Sequence, residues 1–187
     1  ITFFAFSKFL SIHVELRNQY LGIFPDPLFI LKPIDLSIPI FLIMYGGCLF
    51  FIIYNLKKPT QLITLMQSAT LLLIIRAVIL FIFRFDAPED MINLKDPIME
   101  RFIYTKNLIT NQYNQHDLFF SGHTANLFLI TMILKKKYIK TLFACLTILM
   151  GTFLVIQQAH YSIDVIFAPI FSLIALVLHK KIKKLYS

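Results

Sequence analysis

Long apolar runs separated by short polar segments dominate the chain. Four of these runs are long enough to cross the hydrocarbon layer of a bilayer, for which an α-helix needs about 20 apolar residues. A fifth run is shorter but contiguous, and the first residues look like the surviving part of another span. The pattern therefore predicts an all-α fold, a polytopic membrane helical bundle of about six transmembrane helices. The predicted spans are residues 1–14, 36–56, 60–84, 119–134, 138–159 and 162–179.

Composition also indicates a membrane protein, and one built as a single domain. The chain has 187 residues, of which 58% are hydrophobic and 15% are charged, whereas soluble domains are about 45–50% apolar and about 25% charged. No second composition regime is evident, so a single integral membrane domain is expected over residues 1–187. The chain begins at Ile1 rather than methionine, which fits a trimmed N-terminus, and its start lacks the basic front region of a signal peptide.

Basic residues concentrate in three lysine blocks. The net charge of +8 would suggest a nucleic-acid partner in a soluble protein. Here the blocks adjoin apolar runs, so membrane topology explains them better and no nucleic acid is expected. In a six-span arrangement the blocks fall on one side, and short loops rich in Lys and Arg stay in the cytoplasm. Both termini are therefore predicted to be cytoplasmic and the opposite loops extracytoplasmic. The blocks lie at residues 57–58, 135–140 and 180–184.

A long loop is predicted on the side away from the lysines, from about Arg84 to His116. Loops of this length without regular structure are uncommon unless they are functional. Within it, residues 98–110 could form a short interfacial helix. A lid over a site and a plain connector both remain open for this loop.

Two histidines and one aspartate are expected at the extracytoplasmic end of the bundle. His123 lies at the start of one predicted span, His160 at the end of the next, and Asp164 one turn into the last. Antiparallel helices adjacent in sequence pack together, and the spacing of four residues puts Asp164 on the face of His160. A carboxylate there can hold one imidazole nitrogen as N–H and leave the lone pair of the other nitrogen to attack phosphorus. His123 could then protonate the departing oxygen.

Three further residues offer groups that bind a phosphate. Ser121 and Gly122 lie where a predicted span begins, so backbone N–H groups there can donate to phosphate oxygens. Arg76 lies within an apolar run. Burying an arginine at mid-membrane costs about 2.5–3.5 kcal/mol on insertion scales, so an interior partner or ligand is expected. A phosphate fits because its oxygens match the planar guanidinium.

These residues form two motifs that resemble a known family. Residues 117–124 read Asp-x-x-x-Ser-Gly-His-Thr, and residues 160–165 read His-Tyr-Ser-x-Asp-Val. The chain resembles the type 2 phosphatidic acid phosphatase superfamily, and specifically its sphingomyelin synthase-like branch, which carries both motifs. The broader superfamily has an arginine six residues before the second histidine. This chain has Leu154 at that position, which favours the synthase-like branch.

The resemblance implies a role for each matched residue. It makes His160 the nucleophile that forms a phosphohistidine, with Asp164 orienting it and His123 acting first as acid and then as base. Asp117 matches a family acid near the site, and Glu100 is aligned with another acid in the outer loop. The resemblance also implies chemistry without a metal or a cofactor. The substrate would be a phospholipid or lipid phosphate, and the acceptor water, ceramide or diacylglycerol.

The sequence is therefore interpreted as a lipid phosphatase or a phospholipid head-group phosphotransferase in a lipid bilayer. Whether water or a lipid hydroxyl enters the second step stays open. A membrane transporter that uses the intramembrane arginine, histidines and aspartate is the alternative from another class, although no inverted repeat supports it. A metal site built from His123, His160 and Asp164 is a third interpretation. Asp117 could instead cap the span that follows it.

Overall fold

All regular elements in the described part of the chain are α-helices. A computed structural model describes residues 22–23, 25–29, 32–83, 85–88, 90–98 and 118–185. The predicted span at residues 1–14 lies outside these ranges, and so does the predicted helix at 98–110 from residue 99 onward. The helices are α1 (Ser37–Tyr54), α2 (Pro59–Ile82), α3 (Gly122–Ile133), α4 (Lys137–Ile156) and α5 (Ser162–Leu185).

Four of these five helices are long and apolar enough to cross a membrane: α1, α2, α4 and α5. Their bounds agree within a few residues with the predicted spans at 36–56, 60–84 and 138–159, and α5 runs six residues beyond the predicted end at 179. The apolar helices fit an integral membrane protein. The predicted count of about six spans is not confirmed by the described residues.

Helix α3 is shorter than the predicted span at 119–134. It has 12 residues, and at about 1.5 Å of rise per residue it reaches little more than half of a hydrocarbon layer about 30 Å thick. Its start is fixed by Ser121, whose side chain accepts a hydrogen bond from the Thr124 N–H in the manner of an N-cap. At the other end Leu134 is extended. The residues before Ser121 form a turn instead of helix.

Helix α3 lies at the centre of the bundle and packs against each of the other four helices. One apolar core lies between α1, α3 and α4, and a second between α2, α3 and α5. Leu154, which stands where the broader superfamily has an arginine, is fully buried in the first core. Three alanines in the second core let α2 and α5 approach α3 closely. The buried residues of this core are Leu72, Phe120, Ala125, Ala168 and Ala175.

Helices α4 and α5 touch closely at one point and then diverge. A β-carbon added at Gly151 of α4 would collide with Val165 of α5 and lie 3.9 Å from the Thr124 side chain of α3. Only a glycine allows this three-helix contact. Beside it, the divergence leaves a largely apolar cavity of about 600 Å³ between α3, α4 and α5.

The two ends of the bundle differ in charge. The ammonium groups of Lys58 and Lys136 lie over the same Tyr54 ring, 5.3 Å and 5.8 Å from its centroid. The loops α1–α2 and α3–α4 therefore meet at one end, which we call the lysine end. The opposite end, which we call the site end, carries the first residues of α1, α3 and α5 and the last residues of α2 and α4.

Candidate active site

The second histidine lies on a turn at the site end. Helix α4 ends at Ile156 and α5 begins at Ser162, so residues 157–161 form what we call the second turn. His160 Nδ1 lies 3.3 Å from Asp164 Oδ2, as the spacing of four residues predicted. The Tyr161 backbone N–H donates to the same oxygen at 3.1 Å. Both side chains are buried, Asp164 completely. The structure thus forms the predicted imidazole–carboxylate pair.

Ser121 joins the first motif to this pair. Its backbone N–H donates to the Asp164 carbonyl oxygen at 3.1 Å, and its hydroxyl oxygen caps α3. From the sequence, the Ser121 N–H was expected to donate a hydrogen bond to a phosphate oxygen. In the structure this N–H already donates to an acceptor in α5. Gly122 is the first residue of α3, a position where no intrahelical acceptor exists for the N–H. The start of α3 therefore keeps donor capacity beside the pair.

Arg76 reaches the site from α2. Its guanidinium occupies the space that a β-carbon on Gly122 would need, with Cζ 3.1 Å from that position. The same Cζ lies 5.7 Å from the centroid of the Phe120 ring, a cation–π contact. The structure thus brings the predicted arginine against the start of α3, and the missing side chain of Gly122 makes the approach possible.

His123 lies in the first turn of α3 and faces α1. Its ring meets the Phe41 ring edge-on, with centroids 5.5 Å apart and an interplanar angle of 82°. His123 is half-buried, while His160 is 5% exposed. In the ranges that the structure describes, no three side chains of His, Cys, Asp or Glu come together as a metal-binding group. The alternative metal site built on His123 therefore has no support in this geometry.

A strained residue lies two or three positions before each of the two histidines: Phe120 inside the first motif, and Gln158 just ahead of the second. Phe120 has a φ of 36° and Gln158 a φ of 54°. Residues other than glycine rarely adopt this left-handed region, least of all bulky ones. Such strain persists only where the surroundings hold it, and it clusters at functional sites. The surroundings that hold the strained backbone differ between Phe120 and Gln158. At Phe120, the side-chain ring stacks on Phe171, with centroids 4.5 Å apart and an interplanar angle of 24°.

Gln157 is a site residue that the sequence analysis missed. Its side-chain amide donates to Ser37 Oγ at 3.0 Å and to the Ile92 carbonyl oxygen at 3.2 Å. Its side-chain oxygen accepts from the Leu36 N–H at 3.0 Å. Nothing in the sequence marks this glutamine, because it follows an apolar run as an ordinary polar residue would.

Tyr161 holds the second turn from its other side. Its hydroxyl donates to the Asp86 carbonyl oxygen at 2.8 Å. Its ring stacks on Phe29 at 5.5 Å and meets Phe85 edge-on at 6.0 Å. It is fully buried, so within the second motif this ring is a packing element beneath residues 85–88. Asp117 and Glu100, the two remaining predicted site residues, lie outside the described residues.

The features of the site end point to a class of enzyme that acts on phosphate esters. A buried His–Asp pair, a helix N-terminus and an intramembrane arginine at one end of an apolar bundle suit the handling of a phosphate ester. Residues 116–181 match the family model for the C-terminal region of the PAP2 superfamily. This segment includes His123, His160 and Asp164, and the match supports the PAP2 superfamily and a phosphatase-type enzyme. No curated protein and no solved structure matches the chain.

Proposed function

We propose that the protein is a membrane enzyme that cleaves a lipid phosphoester through a phosphohistidine on His160. The phosphate or phosphorylated head group then passes to water or to a lipid hydroxyl. The observation that carries this proposal is the join between the motifs, in which Ser121 donates to the backbone of Asp164 while Asp164 holds His160. It supports a single site built from both motifs. The sphingomyelin synthase-like branch and chemistry without a metal or a cofactor are proposed from the motif resemblance.

The histidine pair supplies the nucleophile. With the Nδ1–H of His160 donating to Asp164, the lone pair on Nε2 is available to attack phosphorus. The new P–N bond replaces the P–O ester bond, and the leaving alkoxide takes a proton from His123. In the second step, His123 takes the proton of the acceptor hydroxyl, a new P–O bond forms and the P–N bond breaks.

The phosphate would be held by the groups around Gly122. The Arg76 guanidinium fork matches two phosphate oxygens, and the N-terminus of α3 offers a backbone N–H and the positive end of the helix dipole. Asp117 and Glu100 are proposed to act on the substrate side, on the strength of the family resemblance alone. The argument for a lipid substrate is that the long apolar helices fit a bilayer, so that a site at one end of the bundle would lie within reach of lipid head groups.

The test follows labelled phosphate through purified protein in detergent. A panel of lipid phosphates and phospholipids is offered with and without ceramide or diacylglycerol. We expect wild-type turnover and an acid-labile, base-stable phosphoenzyme, with the label passing to water or to the added hydroxyl lipid. Turnover without a sealed membrane would exclude transport as the activity. Undiminished turnover in a strong chelator is expected, and its loss would contradict metal independence.

Two substitutions connect this activity to the site. His160→Ala should abolish both the phosphoenzyme and turnover, because no nucleophile remains. Asp164→Asn should lower the rate by about 10²–10⁴-fold with folding retained, because the imidazole loses the carboxylate that orients its proton. The matched controls are His179→Ala, near the lysine end of α5, and Asp35→Asn, before α1. Wild-type turnover by His160→Ala would refute the proposal.

A further inference from the structure

Gln157 connects three parts of the chain at the site end. Its side chain is fully buried, and its hydrogen bonds reach Leu36 and Ser37 at the start of α1 and Ile92 in the segment 90–98. Gln157 also pairs with Ile92 through the backbone, since the Ile92 N–H donates to the Gln157 carbonyl oxygen at 3.3 Å. Gln157, three positions before His160, is therefore hydrogen-bonded to these segments through both its backbone and its side-chain amide.

The partners of Gln157 are themselves fixed to α1. The Lys95 backbone N–H donates to the same Ser37 hydroxyl oxygen at 3.1 Å. The Tyr45 hydroxyl donates to Asp96 at 2.6 Å. Segment 90–98 and α1 thus form a frame, and the Gln157 amide bonds the second turn to it beside the backbone bond from the Ile92 N–H.

The second turn needs such a hold. Gln158, the next residue, has a φ of 54°, and a residue in this region keeps its conformation only where its surroundings impose it. Without the amide, the turn could relax, and His160 would shift with it. A displacement of the reacting atom by about 1 Å can cost about 10²-fold in rate.

We propose that Gln157 is a positioning residue: its amide fixes the second turn to segment 90–98 and α1, so that Nε2 of His160 meets the phosphorus in line. This inference rests on the proposed function. Gln157 touches neither the phosphate nor the reacting atoms, and it acts through His160. Its loss should therefore slow the chemical step and leave substrate binding by Arg76 and the start of α3 unchanged.

The test compares the same substitution at two buried glutamines. Gln157→Met keeps the length of the side chain and removes its three hydrogen bonds. Gln61→Met is the matched control, because Gln61 is 8% exposed, lies near the lysine end of α2, and has a side-chain oxygen without a hydrogen-bond partner in the described part of the chain. We measure kcat, KM, the rate of phosphoenzyme formation and the melting temperature in detergent.

Gln157→Met is expected to lower kcat and the rate of phosphoenzyme formation by about 10–100-fold, with KM within about twofold of wild type. Gln61→Met is expected to stay within about twofold of wild type in all three. Equal kcat values for the two variants would overturn the inference about Gln157. The proposed function would still stand in that case, provided that the wild-type protein turns over the substrate. A higher KM with an unchanged kcat in Gln157→Met would overturn the inference as well. A wild-type protein with neither turnover nor phosphoenzyme overturns both.

Two further variants keep the inference testable if Gln157→Met does not fold. Gln157→Glu keeps the acceptor for the Leu36 N–H and loses the two N–H donors. Ser37→Ala removes one acceptor and leaves the glutamine in place. Both should show the same selective loss of kcat, smaller for Ser37→Ala. Wild-type kcat in Gln157→Glu would overturn the inference.

Discussion

The two histidines stand beside turns of the same kind that are held by different forces. Residues 118–121, the first turn, precede His123, and the second turn carries His160. Each has one strained residue, Phe120 or Gln158. Aromatic packing surrounds the first turn: the Phe119 ring lies 5.4 to 6.3 Å from four other phenylalanine rings, and Phe120 stacks on one of these four, Phe171. The first turn also has one directed hydrogen bond, from the Ser121 N–H to the Asp164 carbonyl oxygen. Hydrogen bonds to backbone and side-chain groups predominate in the second turn, where the buried Tyr161 ring adds aromatic packing.

The difference matches the different demands on the two histidines. Apolar packing depends on buried area and has no preferred direction, so the phenylalanine rings constrain the orientation of the first turn less tightly than hydrogen bonds would. A hydrogen bond weakens steeply when its angle or length changes, so the second turn is fixed in orientation. A nucleophile must approach phosphorus in line, whereas a proton donor needs only hydrogen-bond reach. The residue proposed as nucleophile lies on the turn that is held directionally.

Gly122→Ala, directly after the first turn, should have the largest effect on activity. The added β-carbon would displace the Arg76 guanidinium, which is the end of a flexible side chain. We therefore expect kcat/KM to fall by about 10²-fold while the melting temperature stays near that of wild type. Steady-state kinetics and thermal melting in detergent check both. Gly46→Ala is the control, because no atom lies within 4 Å of its added carbon. Normal activity in Gly122→Ala would argue that Arg76 does not hold the phosphate.

Glycine at the two strained positions should separate the two kinds of support. Phe120→Gly relieves the positive φ but removes a fully buried ring, so we expect a net loss of about 2–4 kcal/mol in the free energy of unfolding. Gln158→Gly relieves similar strain without removing an aromatic ring. It also removes a buried polar side chain that has its own contacts, so the two effects oppose each other and stability should change by no more than about 1 kcal/mol. Denaturant unfolding measures both, and equal losses would show that the turns are held alike.

Gly151→Ala should disturb both motifs together, each beside its turn. Its β-carbon would collide with Val165, next to Asp164, and approach Thr124, next to His123. Overpacking of this kind costs about 1–3 kcal/mol, and we expect a loss of stability in that range with reduced activity. Thermal melting is the measurement, and Gly46→Ala again serves as control. Unchanged melting would mean that α4 can move away from α5 freely.

Asp35→Asn should have the smallest effect, and one that depends on pH. Hydrogen bonds from Ser37, together with the nearby Lys95, hold the pKa of Asp35 below its ordinary value. A lowered pKa in the folded state gives stability above the unfolded pKa, and this stability is lost as pH falls through the folded value. The group is exposed, so the difference from wild type should be below about 1 kcal/mol at neutral pH. Unfolding measured at neutral and acidic pH should show it shrinking in acid.

The sequence was sufficient for the helices and the His–Asp pair, because both follow local rules. Apolar length placed α1, α2 and α4 within a few residues, and the spacing of four predicted the contact between His160 and Asp164. The start of α3 was placed too early, because the apolar residues before Ser121 pack as a turn rather than as helix. Gln157 could not be found, because its partners are 65 to 121 positions away along the chain.

Tyr54, beneath both Lys58 and Lys136, has a consequence for the membrane as a whole. It gathers the basic loops on one surface, and the alternating helices put the histidines at the other. If the proposed lipid chemistry holds and the basic surface stays in the cytoplasm, only lipids of the far leaflet would reach His160. Such an enzyme would deplete its substrate from a single leaflet, and resupply would wait on lipids flipping across the bilayer.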